Sequence, residues 1–276
     1  MSWRNRGVEI KTAAQVAKMR EAGQVVARTL DLVRREARPG MTTSDLDALA
    51  SRCISDGGAR PSFLGYHGFP GVVCTSVNEQ VVHGIPGPRV LADGDIVSVD
   101  CGAIIDGWHA DAAVTFALGS VDPQVKQLID VSEEALWQGI AAAELGGRVT
   151  DISAAVEKQV SAAGFGIVED YVGHGIGSAM HQPPNVPNIG PPGDGPRLVA
   201  GLALAVEPMI TLGSPETDVL ADDWTVVTVD GSPAAHSEHT FTLTERGAWV
   251  LTAFDGGRAR LAELGVPYGG PDDDAP

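Results

Sequence analysis

Residues 96 to 118 constrain the fold of this 276-residue chain more than any other stretch. Two apolar runs, 96–99 and 114–118, flank Asp106-Gly107, a favoured two-residue hairpin turn. With that turn closing the hairpin, Asp100 faces Ala113. Asp111 then lies diagonal to Asp100 on the same face, roughly 7–8 Å away between backbones. His109 shares that face by parity. Two carboxylates so placed repel one another unless a cation lies between them. A hairpin otherwise written as core therefore raises the expectation of a metal cradle near its tip.

The rest of the chain repeats one pattern. Thr12 and Gln15 form a capping box, and Val16, Met19, Gly23, Val26, Leu30 and Val33 follow at helical spacing until Pro39-Gly40. A second helix is expected from about Ser44, with Leu46, Leu49 and Cys53 inward, stopping at Gly57-Gly58. Strand-like segments follow at Val72-Val73 and Val81-Val82, and then the hairpin. The order starts again at Asp122-Pro123, which opens a helix carrying Val125, Leu128, Ile129, Leu136 and Ile140 and expected to close at Gly146-Gly147. Thr150 is expected to cap a fourth helix, with Ile152, Val156 and Val160, ending at Gly164. Strands are then expected at 202–206, 225–229 and 239–243.

Motifs repeat as well as elements. "HGIP" at 83–86 is echoed by "HGIG" at 174–177, "LADGDIVSVD" at 91–100 by "LVAGLALAVE" at 198–207, and "HAD" at 109–111 by "HSE" at 236–238. Three matches in the same order indicate an internal duplication. They predict one α/β domain over 1–256, built of two pseudo-symmetric halves, about 8–120 and 121–254. Such halves would bring Asp100, Asp111, Glu207 and Glu238 to one central seam.

A single acid at a strand end is usually a turn residue or simply exposed. Glu207 differs, because it follows the apolar run 202–206 and a buried glutamate needs a partner. Four acids in echoed positions, with an imidazole nearby, form a hard, oxygen-rich ligand set suited to two divalent ions of the Mn, Fe, Co or Zn kind. Two such ions activate water and polarise a carbonyl, which is hydrolytic chemistry. Of the seven histidines, His174 and His181 flank the glycine-rich "HGIGSAMH" and His83 sits in its echo, so these three are functional candidates. A lone histidine is more often structural than a ligand, and His67, His236 and His239 are read as structural or packing residues.

Composition excludes several alternatives. A formal charge of −17 argues against nucleic acid as the primary ligand. Cys53, Cys74 and Cys101 show no CxxC spacing and suit a reducing compartment. The N-terminus has no apolar signal-peptide core and no apolar run reaches membrane length, so a cytoplasmic protein without a membrane anchor is expected. Residues 257–276, ending in "PDDDAP", are expected to form a flexible acidic tail.

"GHGIG" with a histidine seven residues on from His174, "VEPM", "SEHTF", "VNEQVVHGIP" and the Asp100/Asp111 pair together resemble the type I methionine aminopeptidases, over roughly residues 8–254. The resemblance implies the pita-bread fold, in which two pseudo-symmetric halves share a central curved antiparallel sheet flanked by helices. It implies removal of the initiator methionine from nascent proteins with a small second residue. It implies two divalent metal ions (Co, Mn, Fe or Zn) on Asp100, Asp111, His174, Glu207 and Glu238, with Asp111 and Glu238 bridging. It further implies His83 near the substrate amine and scissile nitrogen, His181 on the substrate carbonyl, and Glu207 helping to take a proton from water. Tyr66, Phe69, Cys74, Met180 and Trp224 would form the methionine pocket, with Met180 standing where this family often has an aromatic. His109, by contrast, is expected to orient a carboxylate or pack beside the site. The N-terminal peptide of nascent proteins is the implied partner, the ribosome the encounter surface, and a monomer the expected state. Type II relatives carry an insertion between the two metal glutamates, but here Glu207 and Glu238 are too close in sequence for one. Proline aminopeptidases and prolidases of the same fold add an N-terminal domain, and a non-catalytic binding member would be expected to have lost ligands.

Overall fold

The computed structural model describes residues 7–272. Helices α1 (Ala13–Glu36) and α2 (Thr43–Asp56) come first, followed by the strands β1 (Arg60–Pro61), β2 (Val73–Val77), β3 (Gln80–Val82), β4 (Ile96–Ile105) and β5 (Trp108–Ala117). Helices α3 (Pro123–Ala141) and α4 (Val149–Ala163) open the second part. They precede β6 (Gly166–Ile167), β7 (Gly173–Gly175), β8 (Gln182–Val186), β9 (Ala203–Val206), β10 (Met209–Thr211), β11 (Thr217–Val219), β12 (Val226–Thr228), β13 (Ala234–His236), β14 (Glu238–Thr244) and β15 (Gly247–Val250), and α5 (Arg258–Glu263) closes the chain.

Local chemistry explains the helix starts. The Thr12 hydroxyl accepts from the Gln15 amide while the Gln15 side chain accepts from the Thr12 amide at 2.8 Å, the expected capping box, and Thr42 and Asp45 repeat it for α2. Asp122 caps α3. The fourth helix differs from expectation. Asp151 accepts from the Arg148 amide, so Arg148 is the cap residue, whereas Thr150 exchanges hydrogen bonds with the Asp194 backbone across the fold. Helix α3 also ends at Ala141, ahead of Gly146-Gly147, because the chain turns there to pair with the 197–198 segment.

One antiparallel sheet runs through both parts of the chain, in the order β1-β4-β5-β14-β9-β7-β8, with β2 added to β4 and β15 to β14. Each part has its own apolar core against that sheet. Val26, Leu46 and Ile54 of α1 and α2 pack with Val73, Val97 and Phe116, while Leu128, Ile140, Ile152 and Val156 of α3 and α4 pack with Leu204, Val206 and Phe241. The stretch after 256, expected as a flexible tail, instead begins with α5, whose Leu261 is fully buried, and Arg258 lies over the Tyr268 ring at 4.6 Å. The acidic end masks Leu261, Val266 and Tyr268, which pack on the second core. Residues 273–276 lie outside the described residues. Among the described residues no helix is long and apolar enough to cross a membrane.

Candidate active site

The hairpin has the register that the turn dictates: Asp100 faces Ala113 and Gly102 faces Asp111. Neighbouring strands extend that row, with Cys74 of β2 opposite Asp100 and Glu238 of β14 opposite Ala113. Cross-strand partners share a face, so Cys74, Asp100, Ala113 and Glu238 form one line across four strands, with Asp111 two residues along β5. The small Ala113 leaves space between the two acids. From the other side β7 brings His174, which pairs with Ala205 of β9, and Glu207 follows directly after β9. Glycines flank His174 because β7 is squeezed between its neighbours. A Cβ would sit 2.4 Å from the Ala205 carbonyl oxygen at Gly173 and 2.3 Å from that of Pro183 at Gly175.

Asp111, His174 and Glu238 are buried, and one ligand atom from each lies within 4.8 Å of the others. His174 Nε2 stands 3.5 Å from both Asp111 Oδ2 and Glu207 Oε1. Its Nδ1 faces the Gly175 carbonyl at 3.0 Å, and a carbonyl only accepts, so the proton sits on Nδ1 and the Nε2 lone pair faces the acids. Burial drops the His174 pKa to about 4, which keeps the ring neutral near pH 7.

The acids are short of positive charge. Burial, reinforced by Asp111, pushes the Asp100 carboxyl well above its usual range, and burial with Asp111 and Asp100 does the same to Glu207 and Glu238. Asp111 is raised by burial and partly relieved by the Thr240 hydroxyl, which donates to Oδ1 at 2.8 Å. At about 4 Å two like charges near a protein surface repel by about 4 kcal/mol, against about 1 kcal/mol from one hydrogen bond. Hydrogen bonding alone therefore does not balance four carboxylates, and among the described residues neither lysine nor arginine lines the cavity they share. Among the described residues Asp100 Oδ1 is buried with no hydrogen-bond partner, and His236 Nε2 likewise has none, 3.7 Å from Glu207 Oε2. An oxygen-rich set with a free imidazole lone pair and an orphaned carboxylate oxygen fits divalent cations.

All twelve expected site residues line one cavity of about 290 Å³. Its apolar wall is buried Phe69, Cys74 and Met180 with partly buried Tyr66 and Trp224, and Phe63 completes it. Asp47 of α2 accepts from the Val72 and Val73 amides at 2.7 and 3.1 Å and so fixes β2 beside the acids. Burial, with Asp100 and Glu238 nearby, raises the Cys74 thiol well above its ordinary pKa, so it stays protonated and apolar in character. His83 sits at φ 59° with its ring edge-on to Tyr171 and Trp224, at 5.6 and 6.2 Å. His181 Nδ1 meets the Tyr66 hydroxyl at 2.7 Å, and its ring centroid is 4.3 Å from that of His174. Burial lowers both rings to about 4.

The other histidines separate. His239 turns away, its Nδ1 on the Thr252 hydroxyl at 2.8 Å and its ring against Trp137. His109 does not line the cavity; it meets the Ser62 hydroxyl at 3.1 Å and donates its amide to the Gly177 carbonyl. His67 and His236, expected to be structural, do line the cavity, as do Phe63 and Tyr171, which no motif marks. His236 carried a usable signal, since it shares parity with Glu238. Phe63 carried none beyond being aromatic.

A curved antiparallel sheet with buried acids and one free imidazole beside an apolar cavity is a metallopeptidase architecture, and the chain belongs to metallopeptidase family M24, which matches residues 17–245. It is 50% identical over 244 residues to a methionine aminopeptidase of Clostridium acetobutylicum, covering 88% of this chain and 98% of that one. It is also similar to the crystal structure of methionine aminopeptidase from Thermotoga maritima, with a TM-score of 0.88 and 43% identity over 89% of this chain and 99% of that one. The fold is thus the pita-bread fold of these enzymes. A prolidase from Pyrococcus furiosus shares the fold at a TM-score of 0.71, with 20% identity over 88% of this chain and 65% of the prolidase.

Proposed function

We propose that this chain is a metal-dependent aminopeptidase that hydrolyses the bond after an N-terminal methionine of new proteins. The observation that carries this reading is the placement of the acid cluster against a soft, apolar cavity walled by Phe69, Cys74 and Met180. A thioether packs well against aromatic and sulfur-bearing side chains. The relatives that the chain matches along nearly their whole length are methionine aminopeptidases.

In this reading Asp100, Asp111, His174, Glu207 and Glu238 would hold two divalent ions. Such ions supply a polarising charge for the carbonyl and lower the pKa of a water. Glu207, which lines the cavity, takes a proton from the attacking water. A neutral His181 whose Nδ1 accepts from Tyr66 keeps its proton on Nε2, and that N–H donates to the carbonyl oxygen as negative charge develops there. His83 faces the substrate amine and the scissile nitrogen. The side chain bound before the scissile bond fills the apolar end, and a small second residue leaves room for the metal-side groups. Mn, Fe, Co and Zn all suit the ligand set. The N-terminal peptide of a nascent chain is the substrate, met at the ribosome by a cytoplasmic monomer whose three cysteines are free.

The test is metal-reconstituted protein assayed on Met-Ala-Ser and Pro-Ala-Ser peptides. Release of methionine alone is expected. Release of proline would move the chain to the proline-specific relatives, and no release from either would make it a binding protein.

A further inference from the structure

The loop that carries His181 is held from outside the cavity by the segment ahead of α1. Lys11 donates its amide to the Gly201 carbonyl at 2.8 Å and Ile10 bridges Leu202, which lays residues 10–11 beside the start of β9. Lys11 is 5% exposed, and lysines are almost never buried without partners. Its Nζ donates to the Glu9 carbonyl at 3.1 Å and to Gln182 Oε1 at 3.4 Å, and lies 3.5 Å from Glu9 Oε2. Glu9 in turn grips the loop: Oε1 accepts from the Ser178 hydroxyl at 2.7 Å and Oε2 from the Ser178 amide at 3.1 Å. The Gln182 amide closes the ring by donating to the Ser178 hydroxyl at 3.1 Å. Ser178 and Gln182 bracket His181. The carbonyl of Gly177 is held on the opposite side by the His109 amide at 2.9 Å. A Cβ at Gly177 would stand 2.3 Å from both Glu9 Oε2 and Lys11 Cε, so the absence of a side chain there lets the two sides seat.

We propose that Glu9 and Lys11 are positioning residues for the methionyl hydrolysis: through Ser178 and Gln182 they fix the loop that presents His181 to the substrate carbonyl. Neither lines the cavity, so their influence reaches the reaction only through that loop. The proposal rests on the reading of His181 given above. Displacement of a donor by a fraction of an ångström affects the transition state, where the carbonyl oxygen carries charge, more than it affects binding of the methionine side chain. A mere tether of the N-terminal segment would change thermal stability without changing kcat.

The experiment uses the metal-loaded full chain and Met-Ala-Ser. Glu9→Gln, Lys11→Met and Gly177→Ala should each lower kcat by about tenfold, with KM and bound metal unchanged. Glu9→Gln is nearly isosteric, so its result stands if Lys11→Met fails to fold. In a His181→Ala background Lys11→Met should cause no further loss, because both changes act through one group. Unchanged kcat in all three variants, loss of metal, or an undiminished effect without His181 would overturn the proposal. If His181→Ala itself retains full activity, the carbonyl role of His181 fails. The clamp is then judged by amide hydrogen exchange over 174–182 in Lys11→Met: faster exchange than in the unchanged protein supports it, and equal exchange overturns it.

Discussion

Two stretches with the same local spelling meet different fates. His109-Ala110-Asp111 lies on β5 and His236-Ser237-Glu238 joins β13 to β14, and in both the acid belongs to the buried cluster with His174. The histidines diverge. His109 sits two residues nearer the hairpin turn, where Ser62 beside β1 and the Gly177 carbonyl take its ring and amide. His236 pairs with Met209 instead, and its ring is delivered into the cavity, 3.7 Å from Glu207. Burial, and then His83, drops its pKa to about 3, so it is neutral and free to donate or accept. Strand parity fixes which face a side chain takes; what neighbours that face offers differs between the halves. A repeat therefore preserves the acids, which need only a face, and not the histidines, which need particular partners.

The sharpest break of this comparison removes the acids. Asp111→Ala and Glu238→Ala should each reduce methionine release to background, because both would take a ligand from each ion; near-normal rates in either would dissolve the equivalence of the two halves. Next in size is His174→Asn, which should weaken metal binding sharply, whereas His109→Asn should keep its metal and much of its activity. Equal losses in a metal titration of these two variants would move His109 into the ligand set. His236→Ala should keep its metal and lose about 10–100-fold in kcat/KM, the usual range for a group that supports a metal ligand; a rate like that of His109→Asn would make the two echoes equivalent after all.

Acidity offers a milder probe. The carboxyls of Asp100, Glu207 and Glu238 are held above their usual range, and protons compete with metal for them. Affinity for Mn²⁺ should fall as pH drops from 8 to 6, read by titration calorimetry, and a flat profile would mean that the acids are already unprotonated at pH 6. The smallest expected effect is Cys74→Phe. It overfills the wall of the cavity and should raise KM for Met-Ala-Ser a few-fold, and unchanged kinetics would remove Cys74 from the pocket.

Much of this was legible in the chain itself because short-range rules set it. Asp106-Gly107 dictates the register that puts Asp100 and Asp111 on one face, and Thr12 with Gln15 dictates where α1 begins. The echoes predicted the meeting of four acids. Long-range partners were not legible. Thr150 looked like a helix cap but found Asp194, far along the chain, and the acidic end hid the apolar residues that dock α5. Phe63 joined the cavity for the same reason: its role depends on which strand lies opposite, and no spacing encodes that.

Acids from both halves are proposed to hold two ions jointly. Mn²⁺ titrated calorimetrically into metal-free protein, unchanged and with Asp100→Ala or Glu207→Ala, tests it most directly. The account predicts two ions per chain in the unchanged protein and loss of one when an acid is removed from either half. Full activity with one ion bound, or two ions retained after losing an acid from one half, would contradict it.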